Sequence, residues 1–378
     1  MRIGIVAYWF NRGQGVVARQ LRSALDGLGH ETFVLARPTR DTNIKPSWID
    51  REDVWDQAGV TAASNYEIPW EDYEAWASAN SPDLVLFDQN YQFEEITRLR
   101  RTGVRTIGRF VWEQFSPSHV EAATAAFDAI YSLTACERER YETLGIESPA
   151  VRWGIHPELL PYARDLPDGG PAAHPGSPGS GPEHLPDHAL VTFLFPGGFM
   201  SKRKPLEQVL DAFRSTDDQR LRLTLKAQVS RRVKAVRKAV RRDRRIEVIW
   251  DELSTGNYLR LFASMDVCLA PSRWEGLGLH LYEATAFGLP IITNDSPPMN
   301  EVVTDGVNGL LVPSVPDGQA RSGIGAYRPD TQALSTAIER LADSDLRATL
   351  SAGARRRRDE LSWDHTVADL DRLISGAP

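Results

Sequence analysis

A chain of 378 residues is long enough for two domains. With 42% hydrophobic and 25% charged residues it has the balance of a soluble globular protein, and no apolar run approaches the length of a membrane span. A net charge of −7 argues against a general nucleic-acid binder.

The chain opens on RIGIVAYWF (Arg2 to Phe10), an apolar run that predicts a buried strand and lacks the small-residue cleavage site of a signal peptide. The turn NRGQG follows, then Val17, Leu21, Leu25 and Leu28 at helical spacing, Gly29 as a stop, and the strand ETFVLA. This strand, glycine turn, helix, strand unit predicts a parallel α/β sheet. The turn lacks the third glycine of G-x-G-x-x-G, and no acidic residue closes FVLARP, so a nicotinamide dehydrogenase is disfavoured. Residues from about Thr39 to Pro69 are polar and predict loops on one domain face. Trp48, Trp55, Trp70, Trp76 and Trp112 suit either stacking on a sugar ring or planar natural product, or core and interdomain packing. The alternation continues with strand PDLVLFD, a helix through Glu94 and Leu99, and strand VRTIGRFVW. Phe127 to Leu133 and Ala150 to Trp153 are two short strand candidates, with a helix over Glu137 to Leu144 between them.

Composition changes at DGGPAAHPGSPGSGPEHLP, which holds too much Pro and Gly to pack and predicts a linker. The expected organisation is an N-terminal domain over 1–160, a linker over 161–188, a C-terminal domain over 189–362, and a final helix, 363–378, returning to the N-terminal domain. The second half repeats the alternation: a strand from Leu190, a helix over Leu206 to Phe213, LRLTLKA, a basic helix, IEVIW, a helix through Leu259 to Ala263, and DVCLAPS. Two such halves are expected to create a cleft, with ligands beyond the carboxyl ends of the strands. The basic run Arg231 to Arg245, and RRRR at Arg355 to Arg358, admit two readings. One is an anionic membrane surface or anionic substrate. The other is the solvated face of a surface helix, with Val233, Val236 and Val240 inward. The only cysteines, Cys136 and Cys268, sit in apolar or helical text, so a reducing, cytoplasmic setting is expected.

Most chemistry is concentrated in RWEGLGLHLYEATAFGLP, from Arg273 to Pro290. Glu275 and Glu283 stand with seven residues between them, and Gly276 and Gly278 separate the first from a helix that starts near Gly278 or Leu279. A helix start offers unpaired N–H groups and partial positive charge, and glycines let a phosphate approach them. Glu275 repels a phosphate, so its use beside one is to accept hydrogen bonds from attached hydroxyls. Glu283 can serve a second set of hydroxyls. A diphosphate with sugar hydroxyls on both sides is a nucleotide sugar. Taken singly, a Glu near a helix start and a Glu inside a helix are both commonplace; the joint pattern in a two-half α/β chain carries the reading.

This segment, with NEVVTDGVNGLLVP after it, resembles the E-x7-E signature of retaining GT-B glycosyltransferases, in particular the large family GT4. VRWGIHPEL and the closing SWDHTVADLDRL extend the resemblance over most of the chain. It implies an α/β fold of the GT-B type, two Rossmann-like parallel-sheet domains facing a central cleft. The implied activity is transfer of a sugar from a UDP- or GDP-sugar to an acceptor hydroxyl or amine, with retention, in glycan, glycolipid or natural-product biosynthesis. By position, Glu275 is implied to hold hydroxyls of the transferred sugar and Glu283 the ribose. Gly276, Leu277, Gly278 and Leu279 form the donor loop, the last two facing the diphosphate. In FPGGFMSKRKP, Lys204 matches the family's phosphate-binding lysine; Gly197-Gly198 stands where the family has Gly-Arg, so Arg203 or Lys202 is the substitute. Gly15 matches the glycine turn that lets the N-terminal domain approach the donor. Where the family often has a histidine, this chain has RFVWEQFSPSH: Glu113 accepts the acceptor's proton, holds a donor hydroxyl, or is a structural acceptor for backbone groups, with Trp112 and His119 nearby. Asp88, Gln89 and Asn90 are the remaining acceptor-side candidates.

Two other chemistries on this fold, a sugar-nucleotide epimerase and a phosphorylase, are alternatives, the latter disfavoured by chain length. A non-catalytic nucleotide-sugar-binding protein is expected to lose the first glutamate, which is present. Asp343-Ser344-Asp345 and Asp369-Leu370-Asp371 fall in late helical text rather than after a strand, so no divalent metal and no cofactor beyond the nucleotide sugar is expected.

Overall fold

The computed structural model describes residues 1–40, 48–163, 190–228 and 233–376. The expected linker, from residue 164 onward, and Arg231 and Arg232 of the basic run lie outside the described residues. The chain divides into two units. The first is Met1–Gly154 with Arg321–Ile324 and Trp363–Pro378; the second is Ile155–Ala320 with Gly325–Ser362.

The first unit is built from β1 (Arg2–Tyr8), α1 (Gly13–Gly27), β2 (Glu31–Arg37), β3 (Val60–Ala62), α2 (Trp70–Asn80), β4 (Leu84–Asp88), α3 (Phe93–Arg100), β5 (Arg105–Arg109), α4 (Val120–Ala126), β6 (Ala129–Ile130) and α5 (Ala135–Thr143). Its six strands are parallel in the order β3-β2-β1-β4-β5-β6. Helices cover the sheet, so central strands are apolar on both sides: Ile3, Ile5 and Val6 of β1 and Leu84, Val85 and Leu86 of β4 are all buried. Gly15 is required by the turn itself, because a Cβ there would lie 2.3 Å from the Phe10 carbonyl oxygen. Trp55 and Trp76 belong to the core, and Trp55 meets Trp9 edge-on at 5.5 Å. Trp70 lies under the Arg98 guanidinium at 4.0 Å.

Two expectations are corrected here. The 39–69 stretch, expected as loops, contains the edge strand β3, which pairs with β2 through only three residues. Ala150 to Trp153 forms no strand beyond an isolated bridge between Ser132 and Ala150. The backbone N–H groups of Arg152 and Gly154 go instead to the Asp369 carboxylate (3.0 Å) and the Thr366 hydroxyl (2.8 Å). A side chain from elsewhere thus takes the bonds a neighbouring strand would have supplied.

The second unit comprises β7 (Val191–Gly198), α6 (Leu206–Arg214), β8 (Leu221–Ala227), α7 (Val233–Arg242), β9 (Ile246–Ile249), α8 (Thr255–Ala263), β10 (Val267–Leu269), α9 (Leu279–Ala286), β11 (Ile291–Asn294), α10 (Met299–Val302), β12 (Gly309–Val312), β13 (Ser314–Gln319), β14 (Gly325–Pro329), α11 (Thr331–Arg340) and α12 (Ser344–Glu360). Its main sheet runs β12-β11-β10-β7-β8-β9. This is the same permutation as in the first unit: the first strand lies between the second and the fourth. The antiparallel hairpin β13–β14 was not expected from the sequence. On α7, Val236 and Ala239 are buried while Lys234, Arg237, Lys238, Arg241 and Arg242 are exposed. Arg245, past its end, is buried and bonded to Asp243, Thr216 and the Phe213 carbonyl. The later arginines act on helix ends. Arg358 donates to the Ala286 carbonyl at the end of α9, and Arg357 to the Glu301 and Val302 carbonyls of α10.

The last helix, α13 (Trp363–Ser375), is part of the first unit, where it packs on α1. Asp369 on α13 receives the Arg152 guanidinium at 2.7 and 2.9 Å. No helix among the described residues is long and apolar enough to cross a membrane.

Candidate active site

β7 and β10 are neighbours at the centre of the second sheet. Their carboxyl ends feed two loops, 199–205 and 270–278, which are stitched together by backbone: Arg273 N–H donates to the Arg203 carbonyl at 2.9 Å. Asn294 at the end of β11 donates to the Ser272 carbonyl and fixes the second loop from below. Lys204 is buried in the first loop, where its Nζ donates to Ser272 Oγ at 2.9 Å and to Glu275 Oε1 at 2.7 Å. Arg203 Nη1 stands 3.4 Å from the other carboxylate oxygen. The Lys202 side chain is exposed, so Arg203 is the basic neighbour that joins the cluster. His280, on the first turn of α9, brings Nε2 to 3.9 Å from Glu275 Oε1.

Burial by itself raises the Glu275 carboxyl, but Arg203, Lys204 and His280 outweigh it and hold the group well below the usual carboxylate range. Burial lowers the Lys204 ammonium, with Glu275 opposing and Arg203 reinforcing. His280 is pushed down to about 3 by burial and then by Lys204, so the imidazole is neutral at pH 7. The cluster therefore has two cations, one carboxylate and one neutral ring, in a place where water screens little. Such a set can take a bound anion on its cations and hydroxyls on its carboxylate.

Gly278 opens α9 from a left-handed conformation, φ +79°, that disfavours other residues. Gly276 and Leu277 lie buried in the loop ahead of it. Gly198, at the end of β7, has φ +51°, and a Cβ there would meet only Gln228 Oε1, at 3.8 Å. Glu283, further along α9, accepts from the Tyr258 hydroxyl of α8 at 3.0 Å. Burial pushes its carboxyl up to about 7 against that hydrogen bond, with Glu158 adding to the rise. Cys268 on β10 and Cys136 are both buried and form no disulfide, and burial pushes the Cys268 thiol up.

In the first unit, Asp88 closes β4 and is reached by Arg109 of β5 at 3.2 Å. Arg109 also stands 3.4 Å from Glu137 of α5. Gln89, with φ +51°, accepts from Val111 N–H and donates to Gln114. Asn90 donates to the Tyr73 hydroxyl and accepts from Gln92 N–H and Arg37. All three side chains are buried and tied to their own unit. Trp112 and Glu113 are half-buried, and the Glu113 carbonyl accepts from Ser322 N–H. His119 accepts from Ser116 N–H and lies against Tyr91, ring centres 4.8 Å apart; burial and Arg321 lower its imidazole.

Sequence reasoning named Glu275 and Lys204 separately, and the structure joins them. It missed Ser272, His280 and Tyr258, and the Arg109–Glu137 partnership of Asp88. His280 lies inside the quoted motif but counts there only as spacing. The two Asp-x-Asp triplets are accounted for locally. Asp343 caps α12 by accepting from the N–H groups of Asp345 and Leu346, and Asp369 is held by Arg152.

Residues 191–344 match the family model described as Glycosyl transferases group 1. A D-inositol 3-phosphate glycosyltransferase of Jonesia denitrificans is 37% identical over 105 residues, 28% of this chain and 22% of that protein. The match thus spans less than a quarter of that relative's length. Among solved structures, sucrose-phosphate synthase of Thermosynechococcus elongatus superposes with a TM-score of 0.72 at 18% identity, over 100% of this chain and 98% of the other. HepE of Anabaena, solved with UDP and glucose, gives 0.66 at 14% identity, over 100% and 98%. The fold is of the GT-B class, two α/β units each with a six-stranded parallel sheet.

Proposed function

We propose that this chain is a glycosyltransferase that moves a sugar from a UDP- or GDP-sugar to an acceptor hydroxyl or amine with retention of anomeric configuration. The observation that supports it most is the buried Lys204–Glu275 pair, set in the segment that matches the group 1 model. In this reading the pair separates its duties when the donor enters. Lys204 and Arg203 turn to the diphosphate and stabilise the charge that develops as it leaves. Glu275 accepts hydroxyls of the transferred sugar, and Glu283 those of the ribose. Fixed cations take the part that a divalent metal plays elsewhere, so none is required. The D-inositol 3-phosphate glycosyltransferase, and the HepE structure with UDP and glucose, support the same class of donor for this chain. The acceptor belongs to glycan, glycolipid or natural-product biosynthesis, and the exposed cations of α7 suit a weak contact with anionic lipid.

The test is to incubate the protein with a panel of UDP- and GDP-sugars and candidate acceptors, and to assay free nucleotide and the anomeric proton of the product by NMR. Nucleotide release with a retained linkage is expected. An inverted linkage refutes retention. Absence of both release and thermal stabilisation across the panel refutes the donor class.

A further inference from the structure

The imidazole of His280 is a buried polar group without a settled use. Its side chain is 11% exposed, and Nε2 has no hydrogen-bond partner among the described residues. The nearest acceptor, Glu275 Oε1, stands at 3.9 Å, beyond hydrogen-bond range, and is already engaged by Lys204. An unmet buried donor or acceptor is costly, because it has given up its bonds to water and gained none in return. Here the unmet nitrogen stands beside the carboxylate of the proposed donor site.

The chemistry of the two groups is complementary. Glu275 is ionised and only accepts. His280 is neutral, and the carboxylate at 3.9 Å favours the tautomer with its proton on Nε2, which donates. A hydroxyl is the small group that does both at once. A hydroxyl oxygen placed about 2.8 Å from each atom would see them at about 90°, somewhat tighter than tetrahedral and relieved by a shift of a few tenths of an ångström. An ammonium or amide nitrogen would satisfy Glu275 but has no lone pair to spare for Nε2–H, and a deoxy position would satisfy neither.

Resting on the glycosyl-transfer reading, we propose that Glu275 and His280 together read one hydroxyl of the transferred sugar, the carboxylate accepting its proton and the imidazole donating to its oxygen. His280 is then a specificity residue of the donor site. A site built to bond a hydroxyl rejects the analogue that lacks it far more strongly than an apolar pocket rejects a missing methylene.

The experiment uses UDP-glucose, UDP-N-acetylglucosamine and GDP-mannose, and the monodeoxy analogues of whichever is turned over, with wild type, His280→Leu and His280→Gln. Wild type should lose about 100-fold or more in kcat/KM for one deoxy position. His280→Leu, which keeps volume without a donor, should lose about tenfold with the parent sugar and shrink the penalty at that same position. His280→Gln, which restores an N–H, should recover most of the discrimination. If His280→Leu melts below the assay temperature, His280→Ala replaces it in the same comparison. An unchanged profile of deoxy penalties in the Leu or Ala variant overturns the proposal and leaves the transfer reading standing. A wild type that neither binds nor turns over any of the three donors overturns the transfer reading and this proposal with it.

Discussion

Each unit places a buried carboxylate, Asp88 or Glu275, at or just after the carboxyl end of the fourth strand of an identically ordered sheet, but the two are charged in opposite ways. In the first unit Arg109 lies between Asp88 and Glu137, one cation for two carboxylates. Burial raises both acids and Arg109 pulls them back only in part. In the second, Lys204 and Arg203 share Glu275, two cations for one carboxylate, and the acid is held low. The first cluster ties β4, β5 and α5 together, with Asp88 Oδ2 left without a hydrogen-bond partner among the described residues. The second is left with positive charge in excess, and an incoming anion would balance it. One strand order thus carries an acid-rich cluster in one unit and the proposed donor site in the other, and the ratio of charges distinguishes them.

The sharpest way to break this comparison is Arg109→Met. It strands two buried carboxylates, so stability should fall by about 3–5 kcal/mol in urea unfolding. Adding Asp88→Asn and Glu137→Gln should recover much of the loss; a fall under about 1 kcal/mol would mean the cluster is not structural. Lys204→Ala is the counterpart in the second unit. It should cost about 100- to 1,000-fold in the rate of nucleotide release, with a folded protein by circular dichroism. Near-normal turnover would remove Lys204 from the chemistry.

Glu283 gives a smaller effect with a definite sign. Its carboxyl, at about 7, lies above the ordinary 4.5, so the protonated form favours folding. That contribution is complete below pH 4.5 and lost as pH rises through about 7. Glu283→Gln should therefore raise Tm relative to wild type by a few degrees at pH 8 and by less at pH 5. A difference that is larger at pH 5 would contradict the burial account. The smallest expected effect is none: transfer should persist in excess EDTA. Loss of activity that magnesium restores would overturn the role given to Lys204 and Arg203.

The strand and helix alternation was legible because the buried parallel strands are short runs rich in aliphatic residues between longer helical stretches, as in RIGIVAY and LRLTLKA. β3 was not, since three residues at an edge carry no periodicity and Thr61 and Ala62 are exposed. The hairpin β13–β14 was hidden by Pro316 and by sparse apolar residues, most of them exposed or half-exposed. Glu275 and Glu283 stood out because a local motif holds them. The partners of Asp88 are 21 and 49 positions away in sequence, by way of Arg109 to Glu137, and no local pattern connects residues so far apart. For the same reason Asp88 was named as an acceptor-side candidate without its bond to Arg109. His280 was in plain view, but only its distance to Glu275 across the helix start gives it meaning.

The return of α13 to the first unit bears on how the molecule is made on the ribosome. Arg152 finds Asp369 only 217 residues later, and Gly154 finds Thr366 after 212. The intervening chain holds the whole second unit, which contributes nothing to those bonds. During vectorial synthesis the second unit can complete its sheet while the first still lacks its last helix, so the half that emerges first is the half that finishes last.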